Sequence, residues 1–93
     1  MIVHDPERHE IDALLALLPS QPDVVEIGCG NGRLTLRYAD RARSVIAMDP
    51  DEARIAIFRS APPPKNVDVR AVAIDRAEVA DASADVVLLS WAL

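Results

Sequence analysis

The sequence predicts an α/β fold: a parallel sheet of about four strands with helices on both faces. Three observations predict it. Short apolar runs rich in β-branched residues, at 24–27, 45–48 and 85–90, alternate with segments of helical spacing. The first run leads into a turn that holds all three glycines of the chain, Gly28, Gly30 and Gly32. The second closes on an acidic residue, Asp49. Strands that alternate with helices imply right-handed crossovers and parallel neighbours.

The elements follow in order. Asp5 and Pro6 read as a helix opening, since Asp can cap and Pro is tolerated at the first helical position. Ile11, Leu14, Leu15 and Leu18 then recur at i, i+3, i+4 and i+7, one apolar stripe that Pro19 and Pro22 bring to an end. Residues 24–27 are nearly all apolar, as a parallel strand covered on both faces should be. A helix is expected from near Asn31 to about Arg43, with Leu34, Tyr38 and Ala42 on its inner side. Residues 45–48 make the second strand. Pro50 opens the next helix, which carries Ile55, Ile57 and Phe58 until the three prolines at 62–64 stop it. Residues 67–74 alternate apolar and polar positions, which suggests a less buried third strand nearer an edge. Residues 77–82 suggest a short helix or turn, and residues 85–90 the fourth and most hydrophobic strand. The chain reads as one domain, with a helix and linker over 1–22 and a core over 23–93.

The bulk numbers narrow the function classes. Ninety-three residues make one domain at most. No apolar run approaches the roughly 18 residues of a membrane span, and the first residues lack the basic and apolar regions of a signal peptide. A net charge of −5 disfavours nucleic acid and anionic membrane as partners, and 3% aromatics leave little for base stacking. One cysteine cannot form an internal disulfide, which suits a reducing cytoplasm. His4 and His9 have no partners at metal-ligand spacing, so both read as surface residues and no metal is expected.

The glycine turn carries the chemistry. Glycine tolerates positive φ and leaves no side chain to block a ligand, so a strand–glycine turn–helix unit lets the backbone approach a nucleotide closely. A dinucleotide fingerprint spaces its glycines G-x-G-x-x-G. Here they fall as G-x-G-x-G, and Arg33 stands where the third dinucleotide glycine would be.

Four segments carry a resemblance: V-V-E-I-G-C-G-N-G-R at 24–33, I-A-M-D-P at 46–50, A-I-D-R-A at 73–77 and A-D-V-V-L-L-S at 84–90. In this order and at these intervals they resemble the cofactor half of a class I S-adenosylmethionine-dependent methyltransferase. The resemblance implies a Rossmann-like three-layer sandwich, with the four strands in the order 3-2-1-4. It implies S-adenosylmethionine as cofactor and methyl transfer as the reaction. It also assigns residues. Glu26 would organise the glycine turn and the amino-acid end of the cofactor, or else cap the following helix or form a salt bridge. Gly28, Gly30 and Gly32 would bring backbone amides against the methionine moiety, with Cys29 among them as a small side chain and no nucleophile. Asp49 would accept hydrogen bonds from both ribose hydroxyls, or cap the helix that Pro50 opens. Met48 and Pro50 would flank the adenine or pack as apolar residues, while Asp51 and Glu52 read as first-turn helix acids. Asp75 would accept the adenine amino group, with the backbone of Ile74 or Arg76 against the ring; the bland alternative is a solvated loop. Ser90 would meet the cofactor's amino group through its carbonyl, and Trp91 would wall the methyl-transfer pocket or simply cover the sheet. No residue can be assigned as a general base.

The family's seven-stranded sheet has the order 3-2-1-4-5-7-6, so this chain corresponds to an incomplete domain. Residues 86–89 would then form an exposed hydrophobic edge, which invites pairing with a second copy of the chain. The acceptor is expected to be a small molecule. Two other readings stay open at this stage: a non-catalytic module that keeps the fold, and a fragment of a nicotinamide-dependent oxidoreductase.

Overall fold

The computed structural model describes residues 2–4, 16, 21–72 and 84–89. Five strands, β1 (Ile2–His4), β2 (Asp23–Ile27), β3 (Ser44–Met48), β4 (Val67–Arg70) and β5 (Val86–Leu89), form one sheet in the order β1-β5-β2-β3-β4. Every pairing is parallel. The expected 3-2-1-4 order is the β4-β3-β2-β5 part of this sheet. Two helices lie between the strands, α1 (Arg33–Tyr38), which continues as a 3-10 turn over Ala39–Arg41, and α2 (Glu52–Ser60).

The apolar pattern explains the layering. Val24, Val25 and Glu26 are consecutive and all buried, so β2 is covered on both faces. Val24, Val45, Ala47, Val69, Val86 and Leu88 form one cluster with Leu34, Tyr38 and Ala42 of the first helical region and Ile55 and Phe58 of α2. Right-handed crossovers β2–α1–β3 and β3–α2–β4 run in the same direction and put both helices on that face. Val25 and Met48 are also buried, so the opposite face is covered too. The helix expected over residues 11–18, apart from the helical Ala16, and the short helix or turn expected over 77–82 lie outside the described residues. Leu34, Tyr38 and Ala42 are buried as their spacing requires, whereas Ile57 of α2 is 60% exposed.

One expectation needs correction. The strand of residues 86–89 is not an edge, because β1 pairs with it through Ile2↔Val87, Val3↔Leu88 and His4↔Leu89. A homodimer through an exposed fourth strand loses its ground. The N-terminal strand was not legible in the sequence: three residues before a proline are too short to show a period. At the other side β4 is the last strand among the described residues, in line with its expected place nearer an edge. Its Val69 carbonyl accepts a hydrogen bond from Arg59 of α2, and Arg70 pairs with Asp68 at 2.7 Å, which places charge along the edge.

A polar cluster fixes register at the amino ends of the strands. The Asp23 carboxylate accepts from Arg43 Nε at 2.9 Å, from Arg43 Nη2 and from Ser44 Oγ at 2.6 Å. Asp85 clasps β5 to β2 from both directions: its carboxylate accepts the Asp23 amide at 2.8 Å, and its own amide donates to the Asp23 carbonyl at 2.9 Å. Hydrogen bonds from Arg43 and Ser44 hold the Asp23 carboxyl down at about 2.

Candidate cofactor site at the glycine turn

Order reverses around β2. The chain moves outward from β2 to β3 and β4, then returns to place β5 on the other side of β2. In open α/β sheets ligands bind beyond the carboxyl ends of the strands at such a switch point. The glycine turn, Asp49 and the entry to α2 all lie at that end.

Gly28, Gly30 and Gly32 have φ of 84°, 56° and 86°. Their amides are spent inside the protein. Those of Gly28 and Cys29 both donate to the Met48 carbonyl, at 2.8 and 3.0 Å, and that of Gly32 to the Cys29 carbonyl at 3.0 Å. The Gly30 amide donates to Asp49 Oδ2 at 2.9 Å. The glycines offer a side-chain-free approach; the amides of Gly28 and Gly30 stitch the turn to Met48 and Asp49, while that of Gly32 closes the turn on Cys29. Gly32 has a further reason to be glycine. A Cβ there would lie 2.5–2.7 Å from the ring of Phe58, so α2 packs on the turn only because that position is bare. Among the described residues, a Cβ at Gly30 would meet only Arg54, at 3.6 and 3.8 Å, an ordinary contact.

Asp49 joins two turns. Besides Gly30, its carboxylate accepts the Asp51 amide through Oδ1 at 2.8 Å. It is 8% exposed, and a carboxylate has about four acceptor sites when ionised, so its two bonds among the described residues leave capacity for a ligand. The capping role weighed for Asp49 belongs to Asp51, whose Oδ1 accepts from the amides of Ala53 and Arg54 at 3.0 and 3.2 Å. Asp51 is thus a cap where a first-turn acid was expected; Glu52 fills the first turn. Pro50 is exposed beside this turn.

Glu26 is fully buried. Its Oε1 accepts from Thr35 Oγ1 at 2.6 Å and from Tyr38 Oη at 2.7 Å, both on α1. Burial, and then the Glu26 charge, push the Tyr38 phenol well above its usual range, so Tyr38 stays a donor. The same carboxylate, together with Asp49, acts on Cys29 in second place to burial: its thiol is pushed up to about 12. A thiol held so far up stays protonated at neutral pH, and the thiolate is the nucleophilic form. Sequence reasoning missed Thr35 and Tyr38. The available signal was a threonine on the inner side of a helix, three residues before an inner tyrosine and just after an acidic strand end.

Asp75, Arg76, Ser90 and Trp91 lie outside the described residues, as does Ile74. Among the described residues no cluster of His, Cys, Asp and Glu could hold a metal ion. The site does fit S-adenosylmethionine: a buried carboxylate with spare acceptor capacity stands beside a turn whose positive-φ positions present no side chains.

The model of the methyltransferase domain family matches residues 24–93. The chain belongs to that family. It is a class I S-adenosylmethionine-dependent methyltransferase domain, with S-adenosylmethionine as its cofactor, and the family match sets aside the nicotinamide reading. A probable S-adenosylmethionine-dependent methyltransferase from Mycolicibacterium smegmatis is 44% identical over 82 residues, which are 87% of this chain and 31% of that protein. Ribosomal RNA small subunit methyltransferase A from Salinibacter ruber is 35% identical over 65 residues, 70% of this chain and 22% of that one. Among solved structures, an S-adenosylmethionine-dependent methyltransferase from Mesorhizobium loti superposes with a TM-score of 0.71 at 28% identity, covering 89% of this chain and 39% of that chain. Phosphoethanolamine N-methyltransferase 1 from Haemonchus contortus, solved with phosphoethanolamine and S-adenosylhomocysteine, does so with a TM-score of 0.69 at 31% identity, covering 85% and 18%. The chain spans about a third or less of the length of the curated relatives it matches.

Proposed function

We propose that this chain is the cofactor-binding part of a methyltransferase that acts on a small-molecule acceptor in the cytoplasm. The observation that carries the cofactor site is Asp49: a buried carboxylate fixed by the Gly30 and Asp51 amides at the carboxyl end of β3, beside the switch point. In this reading its remaining lone pairs accept the two ribose hydroxyls, a charge-assisted contact. Gly28 and Gly30, with Cys29 between them, form the wall against the methionine moiety. Glu26 supports that wall from beneath, and Pro50 lies along the adenine. Asp75 takes the adenine amino group, with Arg76 beside the ring, and Ser90 takes the cofactor's ammonium group.

The bound sulfonium supplies a methyl group already activated for transfer. What is left to the protein is alignment and exclusion of water. The acidic balance of the chain, −5 over 93 residues, favours a small acceptor over a polyanion. A second reading, a nucleic-acid acceptor, is favoured by two relatives named as ribosomal RNA small subunit methyltransferase A. Titration of the 93-residue chain with S-adenosylhomocysteine and, separately, NADH tests the cofactor assignment: the first should saturate and the second should not. Binding of NADH alone would overturn it. A filter-binding assay with ribosomal RNA at two salt concentrations separates the acceptor readings, and salt-sensitive retention would favour the second.

A further inference from the structure

Resting on the cofactor-binding reading, we infer that Thr35 and Tyr38 are positioning residues of the cofactor site, acting through Glu26 on the glycine turn. A carboxylate with no exposed surface loses its hydration, a cost that hydrogen bonds to it must offset. Here it is held by two hydroxyls on one oxygen, Oε1, at 2.6 and 2.7 Å, the lengths of charge-assisted O–H···O⁻ bonds. The three groups bracket the site in sequence. Glu26 stands just before the turn, Thr35 and Tyr38 on successive helical turns after it, and the segment between them contains Gly28, Gly30 and Gly32.

One carboxylate oxygen therefore pins both ends of the glycine loop. Met48 and Asp49 hold its middle from the β3 side, through the amides of Gly28, Cys29 and Gly30. A loop fixed at both ends and in the middle keeps its side-chain-free face in one place, which is what a pre-organised binding wall requires. Glu26 itself, being fully buried, contributes from beneath the turn.

The chain makes the test direct. It has three glycines, all in this turn, so the glycine region of an amide proton–nitrogen spectrum reports on the turn alone. Tyr38→Phe and Thr35→Val each remove one hydroxyl and keep the side-chain volume close; Thr35→Ser restores the hydroxyl. For folded protein at low temperature, we expect both removals to shift the three glycine resonances, leave Asp85 in place and weaken S-adenosylhomocysteine five- to tenfold. Thr35→Ser should bind like the parent. A merely structural role predicts a lower unfolding midpoint with glycine resonances and affinity unchanged, and that result overturns the inference alone. Failure of the folded parent chain to bind S-adenosylhomocysteine would overturn the cofactor reading and this inference with it.

Discussion

Replacing Gly32 by alanine separates two costs that most glycine substitutions mix. One is conformational: at φ 86° a residue with a Cβ pays roughly 1–2 kcal/mol for the left-handed region. The other is steric. The new Cβ would sit 2.5–2.7 Å from three atoms of the Phe58 ring, closer than carbon atoms pack, and forcing a methyl group into a filled space costs about 1–3 kcal/mol. The sum is about 2–5 kcal/mol, a large part of the roughly 5–14 kcal/mol expected for a domain of this length. Gly30→Ala is the internal control. Its φ is also positive, at 56°, yet among the described residues its Cβ would meet only the Arg54 side chain, at ordinary distance, so it should lose the conformational part alone. Urea unfolding followed by circular dichroism gives both values. Gly32→Ala should be the costlier by about 1–3 kcal/mol. Equal losses would refute the claim that Phe58 packs on the turn because position 32 is bare.

Two further predictions concern ionisable groups. Asp23 has its pKa lowered from 3.8 to about 2, chiefly by Arg43, so its contribution to stability is fully present above about pH 4 and is lost as the pH falls through 2. The gap in urea midpoint between the parent and Asp23→Asn should therefore be widest near neutrality and close between pH 4 and 2; a gap that does not change with pH would contradict the assignment. Cys29, pushed up to about 12 mainly by burial, should react with an aromatic disulfide at pH 8 far more slowly in the folded chain than in urea. Equal rates would mean that the thiol is not enclosed.

How much of this was legible in the sequence depends on the range of the forces involved. The strand runs at 24–27 and 45–48 and the inner residues Leu34, Tyr38, Ala42, Ile55 and Phe58 announce themselves through apolar periodicity, which burial dictates directly. The glycine turn was legible because a positive φ leaves few residue choices. What could not be read was partnership. Asp49, Asp51 and Glu52 stand within four residues, and any of them could cap α2; only the chain path decides that Asp51 does and that Asp49 turns back to Gly30. Nor does a sequence show that the Met48 and Cys29 carbonyls accept from the amides of Gly28 and Gly32. Likewise β1 pairs with β5 over three residues, too few to show a period in the sequence.

The central claim is that Asp49, seated against the glycine turn, recognises S-adenosylmethionine through its ribose. The most direct measurement is a calorimetric titration of S-adenosylhomocysteine into the 93-residue chain, with Asp49→Ala alongside and the fold of both checked by circular dichroism. Saturable binding is expected, weakened in the Asp49→Ala chain by about 1.5 kcal/mol or more, the loss expected for a hydrogen bond to a charged group. A folded parent chain that does not bind, or an Asp49→Ala chain that binds equally well, would contradict the claim.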